Sequence, residues 1–467
     1  MFRIQILFLF LAFPNLLIAE QISFADLWVL IRENSSNQKS KYLEWKASEI
    51  AKDRSTKHWL PRFYTDVRSY NTNDPTLNFM GKLGQRSVTE SDFSTSSMKT
   101  RPGNYLDSNN QPYTNINSDT LNVFGKDTLN YPGSNTYTKG SLGVDIPLYE
   151  GGSGKTLSRI QERRSNTLFW EREALKEKEY IHSAFLYRGL QSLNEFIQRI
   201  EDIKKIETRF RVNYQFVNKS NPVGYSGYLA LVGLDNRLSV LIIQTNTQSE
   251  QFKNNLTVLS GMNSEDLRLV KEDLQSFLNR YFPLASTDES SLTKAMSSYA
   301  EGETFRSDLE AAKFLPRVGL YSEANAYSGS RNTQAAYNAG VYLQMNLYNP
   351  KDTGVVEEAK LNAEAFQKKL EEIKRQEDLS IRNLRDQEKT LTESYLLLTE
   401  SLRFQEEQIS NMLKLFQTGV ITAIQFTETI NRSADISKSL LDVELDLIKV
   451  RTEKYLFQKK EITDVAD

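Results

Sequence analysis

Six consecutive residues, Gly151-Gly152-Ser153-Gly154-Lys155-Thr156, have the composition of a phosphate cradle. Glycines expose backbone N–H groups, a lysine meets the anion and a hydroxyl meets its cation. They follow an alternating run and open a helical one, which is the setting such a loop needs. The spacing is wrong, because the first glycine of the motif would fall on Tyr149, and no acidic strand is present to serve as its partner. The glycines are read instead as the swivel between a tilted strand and a helix. Histidine chemistry is as sparse, since the two histidines, His58 and His182, fall in different elements. With no cysteine in the chain there is no thiolate nucleophile, disulfide framework or cysteine metal site. No nucleophile–base–acid set or metal-ligand set stands out, so the reading is of a non-enzyme without catalytic residues, cofactor or metal.

The elements that would have to position any chemistry are more informative. At 467 residues and a formal net charge of −2, without a basic stretch, the chain offers no electrostatic reason to bind nucleic acid. Residues 1–19 read as a signal peptide: Arg3 is the positive start, Ile4 to Ile18 the apolar stretch, and Ala19 the small residue before Glu20. Leu17 is an imperfect residue for the −3 position, and the lack of cysteine excludes a lipid-anchored form. No later segment reads as long and apolar enough for a membrane helix, so entry into a membrane would require a β-barrel.

The mature part is written twice. Trp59-Leu60-Pro61-Arg62 returns as Phe314-Leu315-Pro316-Arg317, Tyr137 to Tyr149 returns as Tyr337 to Tyr348, and Val223-Gly224 returns as Thr418-Gly419. The copies lie 255 residues apart at Pro61 and Pro316, 199 at Tyr149 and Tyr348, and 195 at Gly224 and Gly419. The difference is an insertion of about 56 residues between Pro61 and Tyr149. Such self-similarity predicts a tandem unit of two strands and a long helical hairpin.

The expected divisions are an N-terminal helical segment over 20–60, strands 1 and 2 within 61–149, a first hairpin over 150–260 and an equatorial helical segment over 261–315. Strands 3 and 4 then fall within 316–348, a second hairpin over 349–458 and a tail over 459–467. Leu142, Val144, Ile146 and Leu148 alternate with Gly143, Asp145 and Pro147; Val341, Leu343, Met345 and Leu347 alternate with Tyr342, Gln344 and Asn346. Val318, Leu320, Ala324 and Ala326 oppose Arg317, Tyr321, Glu323 and Asn325, and more weakly Phe63 and Val67 oppose Asp66 and Arg68. An ordinary half-buried antiparallel sheet alternates in the same way. The preceding signal peptide and the length of the flanking helices favour membrane strands. Four strands cannot close a barrel, and open edges are not tolerated in lipid, so the strands would be pooled with copies of the chain.

Between Gly354 and Phe416 there is neither proline nor glycine, enough for a helix of roughly 90–100 Å. Its seam runs through Ala363, Phe366, Leu370, Ile373, Leu384, Leu391, Tyr395, Leu398, Leu402, Ile409, Met412 and Phe416, interrupted at Glu377, Ser380, Gln387 and Gln405. That 3-4 spacing predicts coiled-coil packing, and a solvated coiled-coil stalk would show it equally. Residues 71–136 are rich in Asn, Ser, Thr and Gly and cannot bury enough apolar surface to fold alone. A long loop there would face outside the cell, as a surface segment or a partial lid.

Taken together, the opening Ile22-Ser23-Phe24-Ala25-Asp26-Leu27, the two Leu-Pro turns, the Pro147-Leu148-Tyr149-Glu150-Gly151-Gly152 junction and the two glycine tips resemble the TolC-type outer-membrane efflux proteins over nearly the whole mature chain. The resemblance implies an α+β membrane protein and a homotrimer: a twelve-stranded β-barrel, four strands from each chain, continuing into a periplasmic α-helical barrel. It implies a passive exit duct in the cell outer membrane, engaged by a periplasmic adaptor and an inner-membrane transporter for efflux or type I secretion. It places adaptor contacts on the tips, Val223-Gly224-Tyr225 and Gly419-Val420-Ile421, and a periplasmic gate at Phe416, Gln425 and Glu428. Gln425 stands where the family has a carboxylate, which predicts a weaker acidic ring. The rival expectation is a non-conducting periplasmic coiled coil anchored in the outer membrane.

Overall fold

The computed structural model describes residues 21–93, 108–112 and 128–458. The expected signal peptide, the tail over 459–467 and much of the long insertion lie outside the described residues. The chain divides into two compact units, one made of Met1–Glu49, Arg163–Glu301 and Ala365–Asp467, the other of Ile50–Glu162 and Gly302–Glu364.

The second unit holds one four-stranded antiparallel sheet in the order β1-β2-β3-β4, with β1 at Arg62–Thr72, β2 at Asn135–Glu150, β3 at Arg317–Gly329 and β4 at Thr333–Gln344. Two boundaries differ from expectation. β4 begins at Thr333 and ends at Gln344, leaving Met345 to Tyr348 outside the sheet, and β2 reaches back to Asn135. The ladder sets these limits: Ser328 pairs with Thr333 across a short turn, and Arg317 at the start of β3 is the last partner for Gln344. Pro147 has no N–H to give to a ladder, and the β2–β3 register shifts between Pro147 and Tyr149.

The insertion is not featureless. Asp74 caps a helix, Pro75–Gly84, by accepting from the Leu77 N–H at 2.9 Å, with Pro75 at a first-turn position where its missing N–H costs nothing. The expectation is of a segment unable to fold alone. The composition argument concerns folding alone, and this helix folds against the strands: a Cβ on Gly81 would lie 2.6 Å from the Tyr137 ring, so only glycine lets the helix come so close.

In chain order the helices are α1 (Phe24–Asn34), α2 (Ser36–Ser55), α3 (Pro75–Gly84), α4 (Ser153–Asn213), α5 (Pro222–Ser260), α6 (Leu274–Tyr281), α7 (Ser291–Ala312), α8 (Val355–Gln417) and α9 (Ala423–Lys454). The first unit is built on two apolar clusters. One joins Phe24, Leu27 and Ile31 of α1 to Tyr187, Phe277, Phe282 and Leu447; the other joins Leu193, Phe196 and Ile200 of α4 to Leu231, Leu234 and Leu238 of α5 and Phe426, Ile430 and Leu441 of α9. Contrary to the sequence reading, α5 is long and apolar enough, by length and composition, to cross a membrane. Its leucines at 231, 234 and 238 recur at the spacing of one helix face and are fully packed against α4 and α9.

The polar breaks in the α8 seam have partners. Glu377 receives the Ser290 N–H at 2.7 Å and the Ser290 hydroxyl at 2.8 Å, placing a carboxylate where α7 begins. Burial pushes the Glu388 carboxyl up, but Lys454 at 2.6 Å and Arg451 outweigh it and hold the group below the ordinary carboxylate range. Arg451 also donates its Nε to the Phe282 carbonyl oxygen at 2.9 Å.

Candidate functional site

Two regions collect the residues singled out above, and each is described within its own unit. In the sheet, strand alternation produces two opposite faces. Register places Phe63, Val67, Leu142, Val144, Leu320, Val341 and Leu343 on one face, and it is bare: Leu343 is 72 % exposed, Val67 70 % and Leu142 63 %. The other face is polar and its groups pair with one another. Asp145 receives Arg62 at 3.3 Å and the Tyr342 hydroxyl at 3.1 Å, the Ser141 hydroxyl donates to Asn325 at 2.7 Å, and Lys139 lies 3.9 Å from Glu323. Arg62, Tyr64, Asp145, Tyr321 and Tyr342 line an open hollow on this face. A soluble sheet would bury its apolar face; this sheet leaves that face bare while its polar groups pair with one another. Both edges, β1 and β4, lack a strand partner among the described residues.

The junctions with α2, α4, α7 and α8 all fall at one end of the sheet, beside Arg62, Glu150, Arg317 and Gln344, whereas β1 passes into α3 at the other end. Gly151 and Gly152 adopt φ of 65° and 81°, so they supply the expected swivel from β2 into α4. The His58 ring covers Gly154, which a phosphate cradle would have to leave open.

In the first unit the hairpin tips differ from each other. Gly419 has φ 74° with open space around its Cα, and Val420, 69 % exposed, follows it. This is the expected tight turn. Gly224 corrects the parallel drawn from sequence: it lies in the first turn of α5 without positive φ, its N–H donating 3.0 Å to Asn221, the cap of that helix. The first turn-over is the longer stretch 214–221, because Asn221-Pro222 starts a helix and so takes Gly224 inside it. Val223 projects outward and Tyr225 stacks on Tyr228 at 6.3 Å.

Phe416, in the last turn of α8, is half-buried among aromatics of its own chain, 5.2 Å from Phe210, 5.5 Å from Phe426 and 6.3 Å from Tyr214. Ile421 joins that cluster. Gln425 is occupied with capping: its side chain accepts from the Thr422 N–H at 2.9 Å while its own N–H donates to the Thr422 hydroxyl at 3.3 Å. Glu428 is 70 % exposed at its side chain and 3.4 Å from Arg432. The structure thus brings Phe416, Ile421 and the start of α9 together with the first tip, and leaves Glu428 apart with an exposed side chain.

Sequence reasoning missed the residues that hold α3. Asp92, buried in a short turn of helix, receives Lys82 at 2.9 Å and both terminal nitrogens of Arg331 at 2.5 and 2.7 Å. The Asp74-Pro75 start signal and the 3-4 spacing of Asn78, Gly81, Lys82 and Gln85 were the clue, masked by the polar composition around them.

No protein-family model and no curated protein matches the chain. Among solved structures, the outer-membrane protein VceC of Vibrio cholerae is 11 % identical with a TM-score of 0.70, over 94 % of this chain and 97 % of that one. The Campylobacter jejuni CmeC outer-membrane channel is 11 % identical with a TM-score of 0.69, over 94 % of this chain and 87 % of that one. The open-state MtrE outer-membrane channel of Neisseria gonorrhoeae is 13 % identical with a TM-score of 0.65, over 93 % of this chain and 88 % of that one. The resemblance read from duplicated spacing is therefore present in the backbone: the fold is the one shared by TolC-type outer-membrane channels.

Proposed function

We propose that this chain is one protomer of a passive exit duct in the outer membrane. The observation that carries the reading is the inverted sheet, with its apolar face bare, its polar face internally paired and both edges open. Water is a poor solvent for that sheet, and lipid against one face suits it. Edges exposed to lipid are costly, and three copies of four strands give the twelve of a closed barrel. The shared fold with outer-membrane channels supports the same placement. In this reading the polar face lines the lumen, and no step of chemistry occurs on the protein.

The helical hairpins then stand in the periplasm, with the tips as the docking point for a periplasmic adaptor coupled to an inner-membrane transporter. Gly419-Val420-Ile421 is the better-exposed tip for such contact, and Val223 and Tyr225 offer the second. Phe416 and Glu428 are assigned to the entrance, with Gln425 serving the helix cap. The purified protein should have the mass of a trimer in detergent and conduct ions in a planar bilayer. A monomer, or a trimer that carries no current, would favour the rival scaffold reading.

A further inference from the structure

Helix α3 is amphipathic the wrong way round. Its covered side is polar and small, made of Asn78, Gly81, Lys82 and, just past its end, Gln85, all buried. Its outer side carries Leu77, Met80 and Leu83, 48, 56 and 51 % exposed, and Phe93, 56 % exposed, lies at 5.5 Å from Phe79. A ten-residue helix has little stability of its own and normally turns an apolar stripe inward. Here both ends are strapped the other way. At the start, Asn78 donates to the carbonyl oxygens of Thr72 at 2.8 Å and Gly133 at 3.1 Å, and accepts from the Tyr137 hydroxyl at 2.6 Å. At the end, Asp92 ties Lys82 to Arg331 in the β3–β4 turn, Arg331 donates to the Ser87 carbonyl at 2.9 Å and Asn332 to that of Gln85 at 3.3 Å. The rings beneath α3, Tyr137 and Tyr327, share the polar face with Lys139 and Glu323, at the end of the sheet remote from the helix junctions.

We propose that the outward stripe of α3 is covered by the same stripe of two further copies of this chain, so that three α3 helices form an apolar lid over the outer mouth of the barrel. The inference rests on the trimeric duct proposed above. Closure through the β1 and β4 edges turns the polar face inward, and α3, seated on that face, is carried inside with Leu77, Met80 and Leu83 toward the threefold axis. A second copy is the occupant, and not lipid, because α3 lies on the face opposite Val67, Leu142 and Leu343. An apolar constriction excludes ions by dewetting, and its closure depends on shape and wetting rather than on charge. The Asp92 clamp fixes where the stripe points.

The chain has no cysteine, so single substitutions report directly. A disulfide needs Cα atoms within about 7 Å, which helices meeting at an axis satisfy and outer-face residues of separate copies do not. In the purified full-length trimer, Met80→Cys or Leu83→Cys should give a disulfide-linked dimer on oxidation, whereas Val67→Cys should not. In planar bilayers, Met80→Asp should raise conductance severalfold over the parent, and Asp92→Asn, which frees the helix, should do the same. A conducting trimer with no cross-link at either position and unchanged conductance in both variants overturns the lid and leaves the duct standing. Labelling of Met80→Cys by a bilayer-soluble maleimide, in place of cross-linking, puts the stripe in lipid and also overturns it. A chain that forms no trimer removes the lid and the duct together.

Discussion

Asp92 is 3 % exposed at its side chain, faces two cations, and is their shared counter-ion. The Arg331 guanidinium, helped by Lys82 and the Thr89 N–H, holds its carboxyl well below the ordinary carboxylate range against the opposing effect of burial. A depressed folded value means that Asp92 adds stability above its unfolded value of about 3.9 and loses it as pH falls through the folded one. Hydrogen exchange of the α3 amides should therefore be protected equally at neutral pH and near pH 5, with the clamp contribution lost only in stronger acid. Asp92→Asn should lower that protection at every pH above about 4, by about 3 kcal/mol, since Lys82 would remain buried without a full counter-charge. Protection unchanged by Asp92→Asn would refute the clamp. On the strands, Leu343→Arg should cost about 2–4 kcal/mol relative to the parent if its position faces the membrane midplane, and Gln344→Arg much less. Equal insertion of the two variants into vesicles would show the face assignment to be wrong.

The two hairpin tips respond to substitution through different physics. At Gly419 the space is open and φ is 74°, so Gly419→Ala meets only backbone strain, about 1–2 kcal/mol. At Gly224 the backbone is ordinary, but an added Cβ would lie 2.4 Å from Phe216 Cβ, so Gly224→Ala must displace the 214–221 turn at about 1–3 kcal/mol. Limited proteolysis should accordingly cut the first tip faster in Gly224→Ala and leave that tip unchanged in Gly419→Ala. Thr422→Ala removes one half of the capping box and should weaken the start of α9 by about 1 kcal/mol. In all three the trimer should persist, and loss of transport with the trimer intact is the signature expected of lost adaptor docking.

Symmetry adds properties that one chain does not have. Three copies of Glu428 would form a ring of like charge that favours cations, weakened here because position 425 is an amide committed to a helix cap and because Arg432 is close by. Single-channel recordings of Glu428→Gln should show reduced cation preference. Phe416→Ala should raise conductance through the loss of a bulky side chain, and it should also loosen the tips, because the ring packs with Phe210 and Phe426. If neither substitution changes the current, the constriction lies on other residues. A Phe416→Ala, Met80→Asp double variant should conduct more than either single variant.

Much of the architecture is legible in the residues because it rests on local rules. Pro61 and Pro316 stand at the passage from helix to strand, Leu142 to Leu148 and Val341 to Leu343 alternate with period two, and the run from Val355 to Phe416 lacks any residue that ends a helix. These patterns gave four strands, two long hairpins and the residues that share each face, because each depends only on neighbours in sequence. Tertiary structure decided what depends on partners distant in the chain. Glu377 and Gln425 looked like a seam defect and a lost carboxylate until Ser290 and the α9 cap supplied their partners. Gly224 looked like Gly419 until Asn221 and Phe216 placed it inside a helix. Residues 71–136 read as unable to fold alone because composition counts only the apolar surface a segment can bury by itself. Tyr137, Tyr327 and Arg331 supply the missing surface and charge from strands and a turn that lie up to 239 residues from Asp92.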